Sequence, residues 1–429
     1  MRYLYSALFY ALLPFIVLRM LWRSRRAPAY RRRLAERCGW FQPRPDLERP
    51  AIWVHAVSVG ETLAAAPLLE HLLSQYPGHC LVVTTTTPTG SERLRALFGT
   101  RVFHVYAPWD LPGPVSRFLR RTRPRLLLLM ETELWPNMLH YSRESGCRVL
   151  LANARLSARS AAGYRRLGGL TRGMLGQLDT VACQSEEDGR RFLELGLPAA
   201  ALQVVGSVKF DLTLDADLVA DAKRLRAAFG GPQRAVLVAA STHPGEEALV
   251  LAALAALRAM PDPLLQDCLL VLVPRHPERF DEVFELCRAQ GWQVRRRSVD
   301  ASPGAGVDIL LGDTMGELLL LLGTATVAVV GGSWVERGGH NVLEPAAWGV
   351  PVVTGPSLFN FARSASLLIE AGALVKLESG AELAPCLQGL LTDPGRREAM
   401  GAAGRRVLAD NRGATGRLLA LVATLLARP

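Results

Sequence analysis

The apolar runs of this chain do not alternate with polar residues. Residues 51–56, 80–86, 102–106, 126–130, 149–152, 181–184 and 204–206 are short, near-continuous stretches rich in Val, Leu and Ala, separated by segments with helical spacing. A strand that is apolar on both faces must be covered on both faces, which is the condition of a parallel sheet flanked by crossover helices. The series pauses over 210–233, ending in Gly230-Gly231-Pro232, and restarts at 235–240, 268–273, 307–311, 326–330, 351–354 and 373–377. This predicts two doubly wound α/β halves, 51–212 and 233–412, with 213–232 as linker. A closing helix within 413–429, periodic over about 415–426, can pack on either half. With 429 residues and 49% apolar content the chain can bury two such cores, and disorder as its main state is excluded.

In open parallel sheets ligands bind beyond the carboxyl ends of the strands, so the residues just past each strand are the candidates. After the first strand comes Val57-Ser58-Val59-Gly60-Glu61, with Glu61 in the first turn of a helix over 61–76. A carboxylate there is either a helix-dipole partner or, in a partly apolar cleft, a general base. Glu131 and Glu133 bracket Thr132 after the run 126–130; one of them facing the cleft suffices, leaving the other to cap a helix over 135–141. Lys209, after 204–206, is either solvated or placed to neutralise a departing phosphate. In the second half Arg275 offers a planar fork to an anion and His276 a donor whose charge adjusts near neutrality. Gly312-Asp313-Thr314-Met315-Gly316-Glu317 leads into an expected helix over 314–322.

Residues 329–356 carry the densest signal. Val329 and Val330 close a strand, Gly331-Gly332 permit a sharp turn, and Gly338-Gly339 open a second loop before a short helix expected over 340–348. Its N-terminus would offer free N–H groups to an anion, and Glu344 could accept hydrogen bonds from a ribose diol.

The net charge of +11 calls for an acidic partner. Eight arginines (19, 23, 25, 26, 31, 32, 33 and 37) fall directly behind the uncharged run 3–18, a membrane address rather than a nucleic-acid surface. The run reaches Trp22 if Arg19 snorkels, enough for a short anchor (1–22) or a surface-lying helix, followed by a basic juxtamembrane segment (23–50). Basic residues on its C-terminal side predict that the bulk of the chain stays in the cytoplasm. They also argue against a cleaved signal peptide, even with Ala27-Pro28-Ala29 in the cluster. Seven cysteines, at 38, 80, 147, 183, 268, 287 and 386, form no C-x-x-C pair and indicate neither disulfide framework nor zinc site. The Asp215-Ala216-Asp217 acids precede a helix expected over 218–229 and are better read as N-terminal helix acids than as a cation site. No P-loop is present.

HAVSVGE (55–61), METELWPN (130–137), GSVKFD (206–211), PRHPERF (274–280) and GGHNVLEPAAWGVPVVTGP (338–356), behind an apolar anchor with a basic collar, together resemble the Kdo (3-deoxy-D-manno-octulosonic acid) transferases over nearly the whole chain. The resemblance implies a GT-B fold, two Rossmann-like domains facing a cleft behind an N-terminal membrane-anchor helix. It implies inverting, metal-independent transfer of Kdo from CMP-Kdo to a lipid A precursor (lipid IVA) in lipopolysaccharide synthesis. No cofactor is implied, and the location is the cytoplasmic side of the bacterial inner membrane. Carried over by position, Glu61 is the proton acceptor, Glu131 and Lys209 stabilise the transition state, and Arg275, His276, Met315, Gly316, Glu317, Asn341, Val342, Leu343 and Glu344 bind CMP. The N-terminal half would bind the acceptor and the C-terminal half the CMP-sugar. Other readings of the same residues are another GT-B nucleotide-sugar transferase or epimerase, and a non-catalytic, membrane-docked nucleotide-binding module.

Overall fold

The computed structural model describes residues 1–25, 28–42, 45–299, 304 and 306–427. Arg26 of the arginine cluster and Ala27 of the Ala-Pro-Ala triplet lie outside the described residues, as do short parts of the expected juxtamembrane, C-terminal-domain and C-terminal-helix segments. The described residues form two seven-stranded, wholly parallel sheets. In the first, β1 (Ala51–His55), β2 (Cys80–Thr85), β3 (Phe103–Tyr106), β4 (Pro124–Met130), β5 (Arg148–Ala154), β6 (Thr180–Cys183) and β7 (Leu202–Val204) lie in the order β3-β2-β1-β4-β5-β6-β7. In the second, β8 (Val236–Thr242), β9 (Leu269–Pro274), β10 (Val294–Arg296), β11 (Ile309–Leu311), β12 (Val327–Val330), β13 (Val352–Thr354) and β14 (Leu374–Lys376) lie in the order β10-β11-β9-β8-β12-β13-β14.

Continuous apolarity has the expected cause. Along β1, Ala51 and Trp53 enter the core on one face and Ile52 and Val54 the core on the other; β4 divides Leu127 and Leu129 from Leu126, Leu128 and Met130 in the same way. In the second sheet β8 sends Leu237 and Ala239 to one side, Val236, Val238 and Ala240 to the other.

The helices that build the cores and carry the strand-end residues are α1 (Arg2–Arg23), α2 (Val59–Gln75), α3 (Pro136–Glu144), α4 (Ala216–Ala228), α5 (Glu246–Arg258), α6 (Leu318–Leu322), α7 (Leu343–Trp348), α8 (Pro394–Asn411) and α9 (Ala414–Ala427). The chain divides into two compact units, Met1–Asp211 with Arg412–Pro429, and Leu212–Asn411. The stretch 213–232, expected as a linker, therefore belongs to the second unit. Most of it is α4, whose Ala222 and Leu225, with Phe229 just beyond, are buried, and Asp215 caps it by accepting from the Leu218 N–H at 2.7 Å.

The closing helix α9 packs on the first unit. Ala414, Leu418, Val422 and Leu425 recur at helical spacing and complete the core over Ile52, Val54 and Leu126. The Asp211 carboxylate accepts from the Gly413 and Thr415 N–H groups, each at 2.6 Å, which ties the return of the chain to the end of the first unit. Since Leu418 is fully buried, Leu418→Ala should lower the unfolding free energy by about 2–5 kcal/mol in a urea titration. An unchanged midpoint would show α9 to be a dispensable cover.

Candidate active site

In the first sheet the chain leaves β1 toward β2 on one side and β4 toward β5 on the other, while β1 and β4 are themselves neighbours. The switch point lies between them, and the loops at their carboxyl ends diverge to leave a crevice. Glu131 stands on the loop after β4, and Glu61 in the first turn of α2, directly after the loop from β1.

Ser58 is the N-cap of α2: its hydroxyl accepts from the Glu61 N–H at 3.3 Å and donates to Glu61 Oε1 at 2.8 Å. Glu61 Oε2 accepts from the Val57 N–H at 2.7 Å. Burial pushes the Glu61 pKa up to about 7, against the Val57 and Ser58 hydrogen bonds, and the charges of Glu133 and Glu131 push the same way. The result is a carboxylate whose basicity suits proton abstraction near neutral pH. Both roles considered for Glu61, helix partner and base, are thus compatible in one side chain.

Glu131 has φ +57°, a left-handed conformation that costs a non-glycine residue energy and turns the chain sharply off β4. Glu133 accepts from the Trp135 indole N–H at 2.6 Å, and burial raises its pKa. It does not cap α3. That cap is Asp110, whose carboxylate accepts from the Asn137 and Met138 N–H groups at 3.1 and 2.6 Å. Lys209 lies in the single turn Val208–Phe210, where Asn153, itself at φ +54°, accepts from the Val208 N–H at 3.3 Å. Burial lowers the Lys209 pKa, Glu131 counters it, and Arg155 adds to the lowering. Glu131 thus lies within electrostatic reach of both Glu61 and Lys209, so that two carboxylates and a desolvated cation gather at one end of the sheet. His55, at the end of β1, is buried against Thr84 and held neutral, its pKa lowered to about 4 by burial.

The second sheet has its switch point between β8 and β12. Here a buried carboxylate organises the backbone. Glu246, in the first turn of α5, accepts from the N–H groups of His243 (2.9 Å), Gly332 (2.7 Å), Ser333 (3.0 Å) and Trp334 (2.9 Å). It thereby pins the loop after β12 to the loop after β8. Gly331 allows the approach, since a Cβ there would stand 2.6 Å from the Ser241 carbonyl oxygen. The neighbouring Glu247 pairs with Arg279 at 2.5 Å, steadying the segment that carries Arg275 and His276.

Three histidines meet at this edge. His243 stacks on His340 with ring centroids 5.1 Å apart and Nε2 atoms 2.8 Å apart, and His276 stands edge-on to His243 at 5.3 Å. Burial, then the charges of Arg275, His243 and His276, lower the His340 pKa to about 3, so its imidazole stays neutral. Burial raises the pKa of Glu344, offset by the Asn341 amide, which donates to Oε1 at 3.0 Å, and by Arg275. Arg275, His276, Asn341 and Glu344 are thus one cluster.

Two helix starts differ from expectation. Residues 340–342 are loop, and α7 begins at Leu343, because Pro345 lacks an N–H and is tolerated only in a first turn. Val342 and Leu343 are fully buried, leaving their backbone as the part that can meet a ligand. The helix expected from 314 is α6, which starts at Leu318 after Gly316 takes φ +89°. Met315 is 68% exposed. Burial would raise the pKa of Glu317, but the Thr314 hydroxyl and Arg297, paired at 3.0 Å, outweigh it and hold the carboxylate ionised. This turn comes after β11, two strands from β8, and Glu317 is committed to Arg297 rather than to the histidine cluster.

The family model described as 3-deoxy-D-manno-octulosonic-acid transferase (kdotransferase) matches residues 32–212. The 3-deoxy-D-manno-octulosonic acid transferase of Haemophilus influenzae is 41% identical over 428 residues, covering 100% of this chain and 99% of its own. The chain belongs to the Kdo transferase family. The Bordetella pertussis member is 40% identical, over 97% of this chain and 98% of that one. Like them, this Kdo transferase is a glycosyltransferase. Its GT-B fold is shared with distant solved structures. UDP-GlcNAc 2-epimerase from Neisseria meningitidis superposes with TM-score 0.59 at 13% identity, over 87% of this chain and 100% of that chain. A glycosyltransferase from Rickettsia africae does so with 0.56 at 12% identity, over 89% and 100%.

In this Kdo transferase His243 and Glu246 join the cluster of the second unit without having stood out as candidates in the sequence, whereas Ser58 and His340 stood out only as parts of longer motifs. The available signal was position: Ser241-Thr242-His243-Pro244-Gly245-Glu246-Glu247 comes directly after the run 235–240. A cavity of about 600 Å³ lined by Arg120, Arg123, Arg125 and Arg148 lies at the opposite edge of the first sheet, where β4 and β5 begin, and is remote from these strand ends.

Proposed function

We propose that this Kdo transferase moves Kdo from CMP-Kdo to a lipid A precursor, lipid IVA, with inversion and without a metal, on the cytoplasmic face of the bacterial inner membrane. The observation that carries the proposal is Glu61, a buried carboxylate titrating near 7 at the switch point of the first sheet, with Glu131 and Lys209 beside it.

In this reading the first unit receives the acceptor and the second the donor. Glu61 takes the proton of the attacking sugar hydroxyl as the hydroxyl oxygen bonds to the anomeric carbon of Kdo. The bond from that carbon to the phosphate oxygen breaks, and its electron pair leaves with CMP. Positive charge on the sugar and negative charge on the phosphate grow together, and Glu131 and Lys209 are suited to meet the two signs. Arg275, His276 and the 341–344 segment hold the nucleotide, with Glu344 accepting from the ribose diol and the exposed 315–317 turn as a further contact.

The test is incubation of the purified chain with CMP-Kdo, generated in situ, and lipid IVA, with mass spectrometry of the lipid as the readout. A gain of whole Kdo units is expected. An unmodified acceptor alongside an active control enzyme would turn attention to other nucleotide sugars.

A further inference from the structure

Helix α1 has the length and hydropathy of a membrane span, about 33 Å for 22 residues. Its contacts contradict a crossing. At its first turn the Arg2 guanidinium donates to Asn137 Oδ1 at 3.1 Å and to the Tyr141 hydroxyl at 3.3 Å. One turn on, buried Ser6 accepts from Asn137 Nδ2 at 3.0 Å, and the Tyr5 hydroxyl bonds to the buried Asp110 carboxylate. Met1 and Arg2 also line a cavity of about 300 Å³ with Pro136, Leu170, Met174 and Gln177. Asn137 and Asp110 are fully buried groups of the first unit. If α1 crossed a bilayer, its first turn would sit some 30 Å from that unit, across the hydrocarbon.

The sides of the helix agree. Ser6 and Ser24 are buried and Arg2, Tyr5, Phe9, Leu13, Val17 and Met20 half-buried, all at helical spacing along one side. The opposite stripe, Leu4, Leu8, Leu12, Phe15, Leu18 and Trp22, is exposed, most of it by 59–69%. A spanning helix would need lipid on all sides. One sheltered stripe and one bare apolar stripe are what a helix lying in an interface requires. The arginines after it divide as well. Arg33 pairs with Glu36 at 2.6 Å and Arg37 donates to the Thr86 carbonyl at 2.7 Å, so these two serve the fold, whereas Arg19, Arg23, Arg25, Arg31 and Arg32 are exposed.

We infer that α1 lies in the plane of the membrane with both ends on one side, its Leu4–Trp22 stripe sunk into the acyl boundary and the exposed arginines on anionic headgroups, as a monotopic dock rather than a spanning anchor. The inference rests on the proposed membrane-side reading only for which face of the membrane is used. The acceptor, itself anchored in lipid, would then meet an enzyme held at headgroup depth.

The test uses the full chain with an epitope tag ahead of Met1, treated with protease in intact spheroplasts and in inverted inner-membrane vesicles. The expected result is a tag intact in spheroplasts and cut in inverted vesicles, with the chain in the membrane fraction. A tag cut in spheroplasts while the body of the chain stays intact there overturns the in-plane arrangement, and recovery of the chain in the soluble fraction overturns the lipid dock. Either could occur with Kdo transfer intact, so failure here is distinct from failure of the proposed reaction. As a second measurement, Leu8→Asp with Phe15→Asp should release the chain from vesicles of phosphatidylethanolamine and phosphatidylglycerol by at least about 10-fold, without lowering its melting temperature. A variant that stays bound would exclude that stripe as the lipid contact.

Discussion

Glu61→Gln is expected to slow Kdo transfer by about 10²–10⁴-fold while leaving CMP affinity within about 2-fold, because a positioned general base contributes on that scale and Glu61 bonds to Val57 and Ser58 rather than to the residues proposed to hold CMP. The amide can still accept from the Val57 N–H and bond to Ser58, so the start of α2 should survive. The pH profile carries a second signature. A base must be ionised, so turnover of the natural chain at limiting substrate should rise with pH through about 7 and level off above it. Stability runs the other way. Burial favours the protonated form of Glu61 over the ordinary 4.5, so the folded state binds the proton more tightly than the unfolded chain. Its contribution is fully present below about 4.5 and is lost as pH rises to about 7, and the Gln variant should lack that slope in melting curves taken from pH 5 to 8. Retained transfer in the variant would remove Glu61 from the chemistry. A flat rate profile would place the base elsewhere.

Glu246→Ala is expected to be the most damaging single change in the second unit. Three buried N–H groups and the part-buried one of Trp334 lose their acceptor at once, and each buried group left unpaired costs about 1–3 kcal/mol. Part of this will be relieved by rearrangement, so a net loss of at least about 3 kcal/mol is expected, a fall of roughly 6–12 °C in melting temperature for a unit of this size. The same rearrangement frees the loop after β12 and breaks the stacking of His340 on His243, so CMP affinity should fall by more than 10-fold. Glu246→Gln separates the two effects: it keeps the volume but turns an amide N–H₂ toward backbone donors, and should fold yet bind CMP poorly. Normal melting and normal CMP binding in the Ala variant would show that the loop holds itself.

Most strands could be read in the chain because burial on both faces writes itself as unbroken apolar runs. The exceptions are edge strands. β10 (Val294–Arg296) carries two arginines and one half-buried valine, so it has no apolar run to announce it. β7 lies at Leu202–Val204 rather than 204–206, and with its residues half-buried to exposed little in the sequence sets its register. Glu61, Glu131, Lys209, Arg275 and His276 were legible because each sits just past a strand. Glu246 and His243 sit just past one too, but their importance depends on β8 lying beside β12, and strand order is not written locally.

The sequence by itself determined the alternation of elements, the two parallel sheets, the family and the residue types at the strand ends, since these come from periodicity and from motifs that are contiguous in the chain. Only the tertiary structure decided which loops meet at the two switch points, and that burial lifts Glu61 to about 7. It also decided that α9 closes the first core and that α1 docks its first turn onto Asn137. Each of these is a relation between residues far apart in the chain, created by packing and desolvation.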